Sequence, residues 1–149
     1  MTSTPRTDAG LFVLRVVIGT TFLLHGIDKL GDLGGVQQGF GGLGIPAPEI
    51  MAPLVAMTEV AGGALLIAGL LTPLAGSALA VTMVVAGITA HAGKGFFAQD
   101  GGFEYVLMLG AGCIALAIAG AGRFSADALA LRGRERPGWV RQVRTLVHQ

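Results

Sequence analysis

Eight ionisable residues stand in or beside apolar stretches of this chain: Arg15, His25, Asp28, Lys29, Glu59, His91, Lys94 and Glu104. Charge inside a hydrocarbon layer is expensive, so each such residue marks a pairing partner or a working group. Glu59 is the most informative. It lies within PLVAMTEVAGGALLIAG, where a carboxylate must be protonated, paired or hydrated. Its expected partners are His25, His91 or Arg15, depending on how the helices are rotated. A structural ion pair and a proton-handling or ligand-binding group both account for it. His25, Glu59, His91 and Glu104 are of the types that pass protons by acid–base chemistry, and they form the candidate catalytic set. Arg15, His25 and Glu59 are the candidate contacts to a bound cofactor, with Arg15 also serving as a buried counter-charge. Lys29 and Lys94 are expected to snorkel to the interface and Asp28 to sit among headgroups.

Other chemistries fit less well. Two histidines and two glutamates could hold a metal, but carboxylate metal sites in helix bundles use a Glu-x-x-His pair that this chain lacks. Two histidines on separate helices could ligate a haem, yet nothing in their spacing is specific for it, and no metal site is read. No Ser-His-Asp grouping is suggested. Cys113 is the single cysteine, so an internal disulfide and a CxxC redox centre are excluded; its expected role is packing. A G-x-G-x-x-G at Gly39, Gly41 and Gly44 has no strand before it and two prolines after it, against a dinucleotide site.

The elements that position these residues follow from composition. Of 149 residues, 52% are hydrophobic and 13% charged, against roughly 25% charged in ordinary globular domains. Four apolar stretches run from about Gly10 to Leu30, Pro53 to Leu71, Leu74 to Ala92 and Phe103 to Ala121. Each approaches the ~20 residues that cross a ~30 Å hydrocarbon core. The first is read as a retained helix, because Arg15 interrupts it and no A-x-A site follows. The 25 glycines suit helices that pack backbone to backbone in lipid.

The connections differ in kind. Thr72-Pro73 alone separates the second and third stretches, so these form a tight antiparallel hairpin. The first-to-second link, GDLGGVQQGFGGLGIPAPEI, reads as a flexible extramembrane loop whose prolines forbid one continuous helix. Arginines crowd the ends of the chain (Arg6, Arg123, Arg132, Arg134, Arg136, Arg141 and Arg144), and the loops show no basic excess. By the positive-inside rule both termini are cytoplasmic. His25 then lies roughly 7–8 Å and Glu59 roughly 9 Å below the outer surface, with His91 and Glu104 nearer to it. Arg15 alone lies towards the inner face.

After Pro137, the residues Trp139, Val140, Val143, Leu146 and Val147 share a helical face opposite Arg141 and Arg144. That is the pattern of a basic amphipathic helix on an anionic inner leaflet. The net charge of +1 gives no case for a nucleic-acid partner.

Several blocks together resemble the DoxX family of small bacterial membrane proteins. They are Arg15, Gly19, Phe22, His25-Gly26 and Lys29; Gly44-Ile45-Pro46-Ala47-Pro48; Glu59 with Gly62-Gly63 and Gly69-Leu70-Leu71-Thr72; His91 through Gly95-Phe96-Phe97; Gly101-Gly102-Phe103-Glu104-Tyr105; and Gly120 through Asp127. The similarity runs from about Leu11 to Asp127. It implies a four-helix membrane bundle and an association with membrane oxidoreductase systems, quinone-reducing or thiol and oxidative-stress complexes among them.

The expectation is therefore an all-α polytopic protein of the bacterial inner membrane: an N-terminal tail over 1–9, a four-helix domain over 10–127 and a basic cytoplasmic tail over 128–149. Functionally it reads as the membrane subunit of a redox complex, binding a lipid quinone in the outer half of the bundle. Without an evident electron carrier it needs a redox partner protein and is not a complete enzyme alone. The alternative is a non-catalytic scaffold or assembly factor that recruits a partner. A solute carrier fits less well, with no inverted repeat or broken helix.

Overall fold

A computed structural model describes residues 4–134; the amphipathic pattern after Pro137 lies outside the described residues. All regular structure among them is helical. Helix α1, Pro5–Gly31, starts with Pro5 in its first turn and the Thr4 hydroxyl accepting from the Thr7 amide at 3.3 Å, which satisfies one of the unpaired donors of a helix start. Asp32 ends α1 and caps the next helix, α2 (Leu33–Gly42), by accepting from the Gly35 amide at 2.9 Å.

The glycine-rich link is thus partly a helix, which corrects the expectation of a flexible loop. Five glycines in ten residues argue against helix formation on propensity alone. Leu33, Val36 and Phe40 nevertheless fall on one half-buried face, and α2 packs chiefly on α3 and also touches α1. Tertiary burial and the Asp32 cap outweigh the propensity. The chain reverses through Gly44 and Ala47, both at positive φ, and enters α3 (Pro48–Ala68) with Pro48 at its first position.

Helix α3 ends in a Schellman turn: Gly69 is left-handed, its amide meets the Leu66 carbonyl, and the Leu70 amide meets that of Leu65 at 2.9 Å. Helix α4 (Thr72–Thr89) follows at once, giving the tight hairpin expected. A loop with a short 3₁₀ turn at Ala98–Asp100 leads to α5 (Glu104–Ala119), and α6 (Ala126–Arg134) follows a turn at Gly120–Ser125.

Helices α1, α3 and α4 are long and apolar enough to cross a membrane. Helix α5 is apolar but has 16 residues, about 24 Å of rise, so the fourth stretch makes a shorter helix than its hydropathy implied.

The bundle is built from two close pairs, α1 with α3 and α4 with α5. Glycines set the spacing of the first pair. A Cβ on Gly19 would lie 2.7 Å from the Gly63 carbonyl oxygen, and one on Gly26 would lie 2.8 Å from that of Ala56. In the second pair, a Cβ on Gly76 would lie 2.8 Å from the Cys113 carbonyl oxygen, and Cys113 is fully buried, as a packing residue should be. The start of α1 and the exit of α5 share one end of the bundle, where the Arg123 amide donates to Asp8 at 3.0 Å.

A candidate ligand cavity at the far end of the bundle

At the opposite end, α3 and α4 part above their hairpin and leave a cavity of about 660 Å³. This lies within the range of small-molecule sites, roughly 300–1,000 Å³. Its walls are mostly aliphatic and aromatic, including Phe22 of α1, Leu54 and Val55 of α3, and Val81 and Val85 of α4. Phe40 and Leu43, from the end of α2, line it as well. Into this apolar space come a few polar groups: the hydroxyls of Thr58, Thr82 and Thr89, and the side chains of His25, Lys29, Glu59, His91 and Tyr105.

Glu59 and Lys29 form an ion pair at 2.5 Å, with side-chain exposures of 4% and 24%. This corrects the expected partners of Glu59, which were His25, His91 or Arg15, and it corrects the reading of Lys29 as a snorkelling cation. The cause is the glycine contact. With no side chain at Gly26, α1 and α3 touch backbone to backbone, and Lys29, less than one turn further on, reaches across to Glu59. Pairing makes two charges at this depth tolerable, since each neutralises the other.

His25 lies one turn before Lys29, and its Nε2 stands 3.4 Å from the Tyr105 hydroxyl, joining α1 to α5. His91, just past the end of α4, has its Nδ1 2.7 Å from the Gly101 carbonyl oxygen. A carbonyl only accepts, so Nδ1 carries the hydrogen, and Nε2 of the neutral ring is left as an acceptor. Three of the four proton-handling candidates therefore share one cavity.

Glu104 does not. Its carboxylate accepts from the Ala98 amide at 3.0 Å and so holds the α4–α5 loop in shape; it is absent from the cavity lining. Arg15 is also elsewhere. It precedes His25 by ten residues, about 15 Å along α1, is fully buried and donates to the Phe124 carbonyl. Its guanidinium carbon lies 5.8 Å from the centre of the Phe12 ring. That is the setting of a buried counter-charge: Asp127 contributes the opposing field while accepting from the Leu71 amide at 2.9 Å. Asp28 and Lys94 are exposed. Tyr105 escaped notice as a site residue. Its signals were its place in the block Gly101-Gly102-Phe103-Glu104-Tyr105 and at the start of the fourth apolar stretch, where an aromatic ring also serves as an interfacial anchor.

Among the described residues no group of three or more His, Cys, Asp or Glu is placed to hold a metal ion. What the arrangement can do is bind an amphipathic molecule: a polar head meets the ion pair and the His25–Tyr105 contact, and an apolar remainder fills the space between α3 and α4.

An all-helical membrane bundle with such a cavity defines a class of small integral membrane protein, and sequence comparison supplies the family. The DoxX family model matches residues 10–92, and the chain belongs to the DoxX family. It is 34% identical over 128 residues, 86% of this chain and 92% of the relative, to the Bacillus subtilis (strain 168) protein named "Putative oxidoreductase CatD". It is 29% identical over 122 residues, 82% and 92% of the two chains, to the "Inner membrane protein YqjF" of Escherichia coli (strain K12). No solved structure gives a significant match.

Proposed function

We propose that this chain is the membrane subunit of a redox complex and that the cavity between α3 and α4 binds a lipid quinone. The observation that carries the reading is the Lys29–Glu59 pair in the wall of a 660 Å³ apolar cavity. An isoprenoid quinone needs such a combination: apolar volume for its tail, and a hydrogen-bond donor for its ring oxygen. The oxidoreductase name of the Bacillus subtilis relative supports the redox setting. Electrons come from a partner protein. Each quinone takes up two electrons and two protons to become the quinol, and Glu59, His25 and His91 are the groups that relay the protons.

On this reading the arginine-rich ends of the chain face the cytoplasm and the cavity lies in the outer half of the bilayer. The inner-membrane name of the Escherichia coli relative fits a location in the cytoplasmic membrane. The test is a calorimetric titration of the purified protein in detergent with decylubiquinone. Saturable binding, weakened by Glu59→Gln, is expected; no saturable heat for the wild type removes the proposal and leaves the scaffold reading.

A further inference from the structure

Few of the polar groups around the cavity are available to a ligand. The hydroxyls of Thr58, Thr82 and Thr89 each donate to a carbonyl of their own helix, at 2.7, 2.7 and 2.9 Å. His91 has its Nδ1 hydrogen committed to Gly101, so its neutral ring offers only an acceptor. The ammonium of Lys29 has three hydrogens, and Glu59 takes one. It is one free donor in the cavity.

Tyr105 is a second. Its hydroxyl stands 3.4 Å from His25 Nε2, with the two rings 6.1 Å apart and tilted by 60°. That distance is beyond the usual 2.5–3.2 Å of a well-formed hydrogen bond, so neither group saturates the other. A phenol can receive a hydrogen bond from an imidazole N–H while giving its own hydrogen to something else.

We propose that Tyr105 is the second polar contact of the cavity's ligand, donating to the ring oxygen opposite the one held by Lys29. The proposal rests on the quinone reading and extends it to the residue that recognises a doubly oxygenated ring. Lys29 lies one turn beyond His25 on α1, and both line the cavity together with Tyr105. The two ring oxygens of a quinone stand para to each other, and both only accept. With Lys29 on α1 and Tyr105 on α5 as the two donors, the ring is clamped between the two halves of the bundle. His25, as its Nε2–H tautomer, donates to the Tyr105 oxygen and acts as a positioning residue. A ring with a single oxygen satisfies only one donor, and that one is Lys29, because a charged donor makes the stronger bond.

The experiment compares decylubiquinone with 4-decylphenol on the full chain and on Tyr105→Phe, by calorimetric titration in detergent, with thermal melting to confirm that the variant is folded. Phenylalanine keeps the ring and removes only the hydroxyl. Tyr105→Phe should weaken decylubiquinone by about three- to tenfold and leave 4-decylphenol within about twofold of the wild type. Unchanged decylubiquinone affinity, or an equal loss for both ligands, overturns the assignment of Tyr105 and leaves the quinone reading standing. Failure of the wild type to bind decylubiquinone removes both.

Discussion

Lys29 and Glu59 close a 2.5 Å ion pair between the last turn of α1 and the middle of α3. Glu59 is almost wholly enclosed, while Lys29 keeps about a quarter of its side chain exposed. The pair joins the two helices that pack closest, and it faces the cavity from one side.

The asymmetry in exposure sets an expected order of stabilities. Removing one partner of a buried pair costs about 3–5 kcal/mol, because the other charge is left uncompensated. Lys29→Met strands the enclosed carboxylate and should show that full cost. Glu59→Leu strands a lysine that can turn outward, so its loss should be smaller. The double variant Lys29→Met/Glu59→Leu should melt above Lys29→Met alone. Thermal unfolding in detergent checks the ranking, and equal, additive losses would show that the two charges are not coupled.

The glycine contact that brings the pair together makes its own prediction. A Cβ on Gly63 would fall 2.6 Å from the Gly19 carbonyl oxygen and the Leu23 amide, both backbone atoms that cannot swing aside. Gly63→Ala should therefore lower stability by about 1–3 kcal/mol. Gly10, with nothing within 4 Å of its virtual Cβ, should accept alanine with a gain of about 0.5–1 kcal/mol. Paired melting curves of the two variants test this; a similar response from both would contradict the close approach of α1 and α3.

These residues also show how far sequence alone reaches. The apolar stretches were legible because hydropathy and length report directly on burial in lipid. Glu59 was legible because an acid in such a stretch demands an explanation. Its partner was not, since periodicity does not fix how one helix is rotated against another, and a lysine at a helix end is already explained by snorkelling. Glu104 matched the depth of the others but turns to cap the Ala98 amide, a local contact that depth cannot reveal. The helix at Leu33–Gly42 was hidden by its glycines, and its packing, chiefly on α3, together with the Asp32 cap accounts for it.

Orientation is open to chemical labelling. Cys113 is fully buried and can be replaced by alanine to give a silent background. Ala9 and Gln99 are exposed at opposite ends of the bundle. In right-side-out spheroplasts, Gln99→Cys should react with a membrane-impermeant maleimide, and Ala9→Cys only after permeabilisation. The reverse pattern would invert the proposed topology and place the cavity in the inner leaflet.

The claim that the cavity between α3 and α4 is the quinone site is tested most directly by photolabelling. Membranes containing the protein would be irradiated with an azido derivative of decylubiquinone, and the labelled peptides mapped by mass spectrometry. The account predicts label within residues 51–59 of α3 and residues 81–91 at the end of α4 and just beyond it, abolished by excess decylubiquinone. Label that resists competition, or that falls on the face of α5 carrying Leu107, Ala111 and Ile114, away from the cavity, would contradict it.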